Sequence, residues 1–151
     1  MIRFHLRGLA AIVGVVWLVA YASAQPTADQ QAEMLLNVAR KAAADANPQL
    51  AAEKFREFLT RFASHKDANT ARLGLGLALL DLPDRNYQQV FDAFAPAAMD
   101  ANFPDRPLAL YYAGVCRRGL GLKEVAEGIA RPNELPKRQQ VANDHFTEAA
   151  R

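Results

Sequence analysis

The chain has a single cysteine, Cys116, among 151 residues. No internal disulfide can form, which excludes the stapled mini-protein class. Cys116 falls in an apolar helical pattern and reads as packing rather than as a nucleophile. Charge of one sign is also scarce, with 18 Lys and Arg against 16 Asp and Glu. Two of those bases, Arg3 and Arg7, lie in an N-terminal leader, and without them bases and acids are equal in number. That balance removes the basic excess that binding to nucleic acid or anionic lipid requires. The densest basic cluster, Arg117, Arg118 and Lys123 with Arg131, Lys137 and Arg138 nearby, reads as solvated helix ends. Chemistry-bearing motifs are missing as well. His65 and His145 have no sequence neighbour to act with, as general-base partners or as zinc ligands. Asp81, Asp84 and Asn86 lack the alternating ligands and central Gly of a calcium loop. Gly74-Leu75-Gly76 and Gly119-Leu120-Gly121 lack the third Gly and the strand-to-helix context of a phosphate-binding loop. Glu53 and Glu57 lie beside Lys54 and Arg56 on an exposed face. The residues indicate no enzyme, no cofactor and no metal.

What is present begins with the leader. Met1 to Arg7 carry two cations and no acid, Gly8 to Ala20 is apolar, and Ala22-Ser23-Ala24 has the small-x-small form that signal peptidase accepts. Residues 1–24 therefore read as a secretory signal cut before Gln25. The uncharged stretch from Gly8 to Ala24 is shorter than the roughly twenty apolar residues of a spanning helix, which favours cleavage over a retained membrane anchor. No Cys follows the apolar run, so a lipid-modified N-terminus is not indicated. The expected protein is exported, to the periplasm or beyond the cell, with no stable membrane insertion once the signal is removed.

From Gln25 on, the residues spell helices, and no stretch alternates apolar and polar residues long enough to suggest a strand. Thr27 and Gln30 form a capping box for a helix over 28–46. Asn47 caps and Pro48 opens a second, to about Ala63, whose buried stripe is Leu50, Ala51, Phe55, Phe58, Leu59 and Phe62. A third spans Ala68 to Asp81, where Gly74 and Gly76 suggest close approach of a neighbouring backbone. A fourth runs from Tyr87 to about Asp100, bent or shortened by Pro96. A fifth is expected over 108–120, ended by Gly119-Leu120-Gly121. A short sixth follows over 123–130, and a last helix starts near Lys137. One stripe recurs along these helices, a small residue, a large apolar one four places on and an apolar or small one three after that. It is found at Ala51, Phe55, Phe58; at Val90, Phe94, Ala97; and at Ala142, Phe146, Ala149, with a weaker copy at Ala126, Ala130, Asn133. Repeated faces at intervals of a few tens of residues predict hairpins stacked as a solenoid. A chain of roughly 150 residues buries about 70% of its unfolded surface, enough for one domain with a core of its own.

The segment from Tyr111 to Ala126 resembles the core of a tetratricopeptide repeat, with Gly114, Gly121 and Ala126 at the family's small positions. A looser second unit runs from Leu73-Gly74 through Tyr87, Val90 and Phe94 to Ala97. Ala51 to Gly74 resembles repeats of exported bacterial proteins such as the Tol-Pal coordinator and the lipoprotein of the outer-membrane assembly machine, with Phe62-Ala63 where those carry Tyr-Pro. The resemblance covers about Ala28 to Ala130. It implies an all-α, right-handed solenoid of antiparallel helical hairpins over 25–135. It also implies a scaffold that takes a partner peptide or helix in its concave groove. The chain ends within an amphipathic pattern with no Gly or Asn stop, so residues 136–151 read as the start of a further helix that continues in a longer protein. On the fifth helix Leu108, Tyr111, Val115 and Arg118 share a face, and Tyr with Arg is a composition favoured at binding hot spots. On the third, Ala68, Arg72 and Leu75 are comparable. The candidate binding residues are Arg72, Tyr111, Val115 and Arg118, and the expected partner is another envelope protein. The alternative is the N-terminal repeat region of a larger envelope protein whose activity lies beyond residue 151.

Overall fold

The computed structural model describes residues 25–150, so the signal assigned to residues 1–24 and the terminal Arg151 lie outside the described residues. Thr27 starts α1 (Ala28–Ala44). Its hydroxyl accepts from the Gln30 N–H at 3.2 Å, and the Gln30 side chain accepts from the Thr27 N–H at 2.9 Å. This is the reciprocal arrangement the spacing predicts. At the far end Ala46 takes a left-handed φ of 55°, which lets the Asn47 N–H reach the Ala42 carbonyl at 2.9 Å. The chain reverses there, and the Asn47 side chain accepts from the Leu50 N–H to open α2 (Pro48–Arg61) with Pro48 in its first turn. α3 (Ala68–Leu80) follows. Asn86 caps α4 (Tyr87–Met99) by accepting from the Gln88 and Gln89 N–H groups. Pro96 is accommodated in the last turn of α4 without ending it.

The two helices expected after residue 107 are one. α5 runs unbroken over Arg106–Ala130, 25 residues or roughly 37 Å. Neither Gly119 nor Gly121 has the positive φ of a helix-ending glycine. Both are covered by rings. A Cβ on Gly119 would fall 2.7 Å from the Tyr87 ring, and one on Gly121 would fall 2.6 Å from the Phe146 ring. The turn expected at Gly121 therefore does not form. Gly114, Gly121 and Ala126, which the resemblance assigns to the first helix, the turn and the second helix of a hairpin, lie on a single helix. The reversal comes instead at a single 3-10 turn, Pro132–Glu134, before α6 (Leu135–Ala149). Arg138 closes this hairpin, meeting Glu127 at 2.7 Å and Glu124 and Glu134 at 2.8 Å. Those three acids hold its guanidinium above the ordinary pKa.

The described residues form six α-helices and no strand, each helix packed against the next in chain order. This is the all-α, consecutively stacked hairpin arrangement the periodicity predicts. Its core is wholly apolar, with no buried polar or charged residue among those described. Two copies of the recurring stripe are core: Ala51, Phe55, Phe58 and Val90, Phe94, Ala97 are all buried. In the last copy Ala142 is buried while Phe146 and Ala149 are half-covered. The weaker copy is not a packing stripe, since Ala126, Ala130 and Asn133 are exposed. Leu50, expected in the buried stripe of α2, is 37% exposed, because it sits in the first turn, where α2 emerges from the loop.

The close approach foreseen at Gly74 and Gly76 is real, but what approaches is a ring rather than a backbone. A Cβ on Gly74 would stand 2.3 Å from Phe55 Cζ of α2, and one on Gly76 would stand 2.4 Å from Phe94 of α4. α3 and α5 are thus built alike. Each carries a Gly-Leu-Gly whose two glycines receive aromatic rings from the helix before and the helix after.

Candidate binding surface

Three regions of the surface carry concave or exposed features. At the N-terminal end of the stack, Asp29, Arg40, Ser64, His65 and Asp67 line a polar depression of about 480 Å³. His65 packs edge-on against Phe58, with ring centroids 5.6 Å apart. Its Nδ1 accepts from the Asp67 N–H at 3.2 Å, and Nε2 stands 3.7 Å from Asp29 Oδ1. The imidazole serves the α2–α3 turn. No hydrogen bond among the described residues joins Ser64 to it, and Cys116 and His145 lie away on α5 and α6. Burial pushes the Cys116 thiol up to about 11, which keeps it protonated and inert at neutral pH. Among the described residues no three His, Cys, Asp or Glu side chains are arranged to hold a metal ion.

The second region is an apolar groove of about 380 Å³ between α4, α5 and the end of α6, lined by Phe91, Met99, Leu110, Gly114 and Ala149. Arg117 closes one side. Its guanidinium lies 4.1 Å over the Phe91 ring and pairs with Glu148 at 2.9 Å. Met99, at the mouth, is 80% exposed.

The third is the outer side of α5. Ala109, Ala113 and Cys116 turn inward and are buried, so the opposite side of the helix faces solvent. A surface helix ordinarily carries polar residues there. α5 instead exposes Leu108 at 43%, Tyr111 at 65%, Leu122 at 53% and Ile129 at 69%. Between them are half-buried Val115 and exposed Arg118. Tyr111 meets Tyr112 edge-on at 5.2 Å, and Tyr112 stacks on Phe94 at 5.4 Å, so the exposed ring stands on the core.

Of the four residues the sequence points to, Tyr111, Val115 and Arg118 lie together on this stripe. Arg72 is elsewhere. It is on α3, on the side that carries Ala68 and Leu75, both of which are buried, and its guanidinium donates to Asn69 Oδ1 at 2.8 Å. Leu122 and Ile129 extend the stripe past the point where the fifth helix was expected to stop. The signal for them was the spacing itself, which continues unbroken through Gly121. No helix among the described residues is long and apolar enough to cross a membrane. Comparison with family models, curated proteins and solved structures gave no match.

Proposed function

We propose that the chain is an exported, non-enzymatic helical-repeat scaffold, of the kind tetratricopeptide proteins represent, that holds another envelope protein on the outer stripe of α5. One observation carries this reading: the longest helix turns Leu, Tyr and Ile to solvent on the side away from its core. Contiguous exposed apolar surface marks interaction sites, and the pairing of Tyr111 with Arg118 supplies two residue types that dominate binding hot spots. The hairpin plan supports the tetratricopeptide kinship, whereas the unit length differs from it. The glycine pairs recur 45 residues apart, Gly74 to Gly119 and Gly76 to Gly121, against about 34 in that family. Export follows from the leader at residues 1–24, and so does a partner in the envelope.

Chemical crosslinking and affinity capture from the envelope fraction test the reading. The wild-type chain should bring down a discrete partner. A Tyr111→Ala, Leu122→Ala double variant should lose it while keeping its helical circular dichroism, because both side chains point to solvent. A chain that stays alone in every condition overturns the proposal.

A further inference from the structure

The outer stripe of α5 has a regular spacing. Leu108, Val115, Leu122 and Ile129 recur every seven residues, and Tyr111, Arg118 and Val125 fall three places after the first three of them. Alternating steps of three and four over three heptads are the core spacing of a coiled-coil seam, in which each side chain fits a hole on a facing helix. Among the described residues no helix faces this seam. Ala126, small and exposed, borders it, so a second helix could approach closely there.

One residue in the seam is charged. Arg118 is exposed and stands midway between Leu108 and Ile129. Glu148 of α6 is engaged by Arg117, Glu124 and Glu127 of α5 and Glu134 of the 3-10 turn by Arg138, and Asp92 of α4 and Asp144 of α6 accept from Gln88 and Gln140. Arg118 makes no salt bridge among the described residues. A second copy of this chain is a poor occupant. In a parallel pairing Arg118 would meet Arg118, and in an antiparallel one it would meet Val115, Leu122 or Arg118 according to register, with no acid in either seam to neutralise it. Covering an unpaired guanidinium with apolar side chains is unfavourable.

Resting on the scaffold reading above, the geometry points to a partner helix from another protein. It carries about three heptads of apolar residues at the coiled-coil core positions, with one carboxylate at the central position, opposite Arg118. The apolar seam supplies affinity and the single ion pair sets register, the role that lone polar core residues play in coiled coils.

Two synthetic peptides of three Leu/Ile heptads, identical except for Glu or Lys at the central core position, serve as probes. Each is labelled and titrated with the purified protein by fluorescence anisotropy. The Glu peptide should bind at least about tenfold more tightly than the Lys peptide, and Arg118→Glu should reverse the preference while leaving the circular dichroism unchanged. Leu122→Asp should abolish binding of both peptides. Equal binding of the two peptides, or a preference unmoved by Arg118→Glu, overturns the inference. So does a dimer seen by light scattering without peptide, which would assign the seam to a second copy. Failure of both peptides to bind overturns the helix assignment alone, because capture of a partner from the envelope does not depend on that partner being a helix.

Discussion

Phe94→Ala is expected to lower the unfolding free energy by about 3–5 kcal/mol, the range for truncating a fully buried phenylalanine. The Phe94 ring has no exposed surface, lies against Gly76 of α3 and stacks on Tyr112 of α5. It therefore joins three consecutive helices, and its loss opens a cavity that no single helix can close by shifting. A native stability of about 5–15 kcal/mol is typical, so the variant should be partly unfolded at moderate temperature. Urea denaturation followed by far-UV circular dichroism would show it. A loss below about 1 kcal/mol would mean that the neighbouring helices collapse into the space, and that Phe94 is not the joint between them.

Gly76→Ala decides between two effects of opposite sign. In a helix interior the change ordinarily stabilises by up to about 1 kcal/mol. Here the new methyl group would stand 2.4 Å from the Phe94 ring. That ring is fully buried and cannot swing away, so overpacking should win by about 1–3 kcal/mol. Gly114→Ala is the control. Its Cβ would meet only the Ala149 carbonyl, at 3.3 Å, near the end of α6, so helix propensity should offset most of the contact. Thermal melts of the two variants should move far apart, with Gly76→Ala the lower. If Gly76→Ala melts at or above the wild type, the ring-on-glycine contact does not set the spacing of α3 and α4.

These contacts also explain what could be read in the chain and what could not. The starts of α1 and α2 were legible because their caps are local: Thr27 with Gln30, and Asn47 with Pro48. The buried stripes at Phe55 and Phe94 were legible because helical periodicity reports which side is covered. The length of α5 was not. Gly119-Leu120-Gly121 has the composition of a helix end, and what keeps it helical is the pair of rings from Tyr87 and Phe146, which belong to the helices on either side. No local rule contains them. Dividing α5 in two removed Leu122 and Ile129 from the exposed stripe, so half of the candidate binding surface was invisible until the helix was seen whole. Arg72 joins the candidates only through the family resemblance, in which the first helix of each unit lines the groove, and here it shares its side of α3 with the buried Ala68 and Leu75.

On the function proposed above, the outer side of α5 is covered by another protein in the cell envelope. Photo-crosslinking tests it directly, with a photoreactive amino acid placed in living cells at Tyr111, at Leu122, or at Gln49, an exposed position on α2. The same ultraviolet-dependent adduct is expected from Tyr111 and Leu122 and none from Gln49. No adduct at either α5 position, or equal adducts at all three, would contradict it.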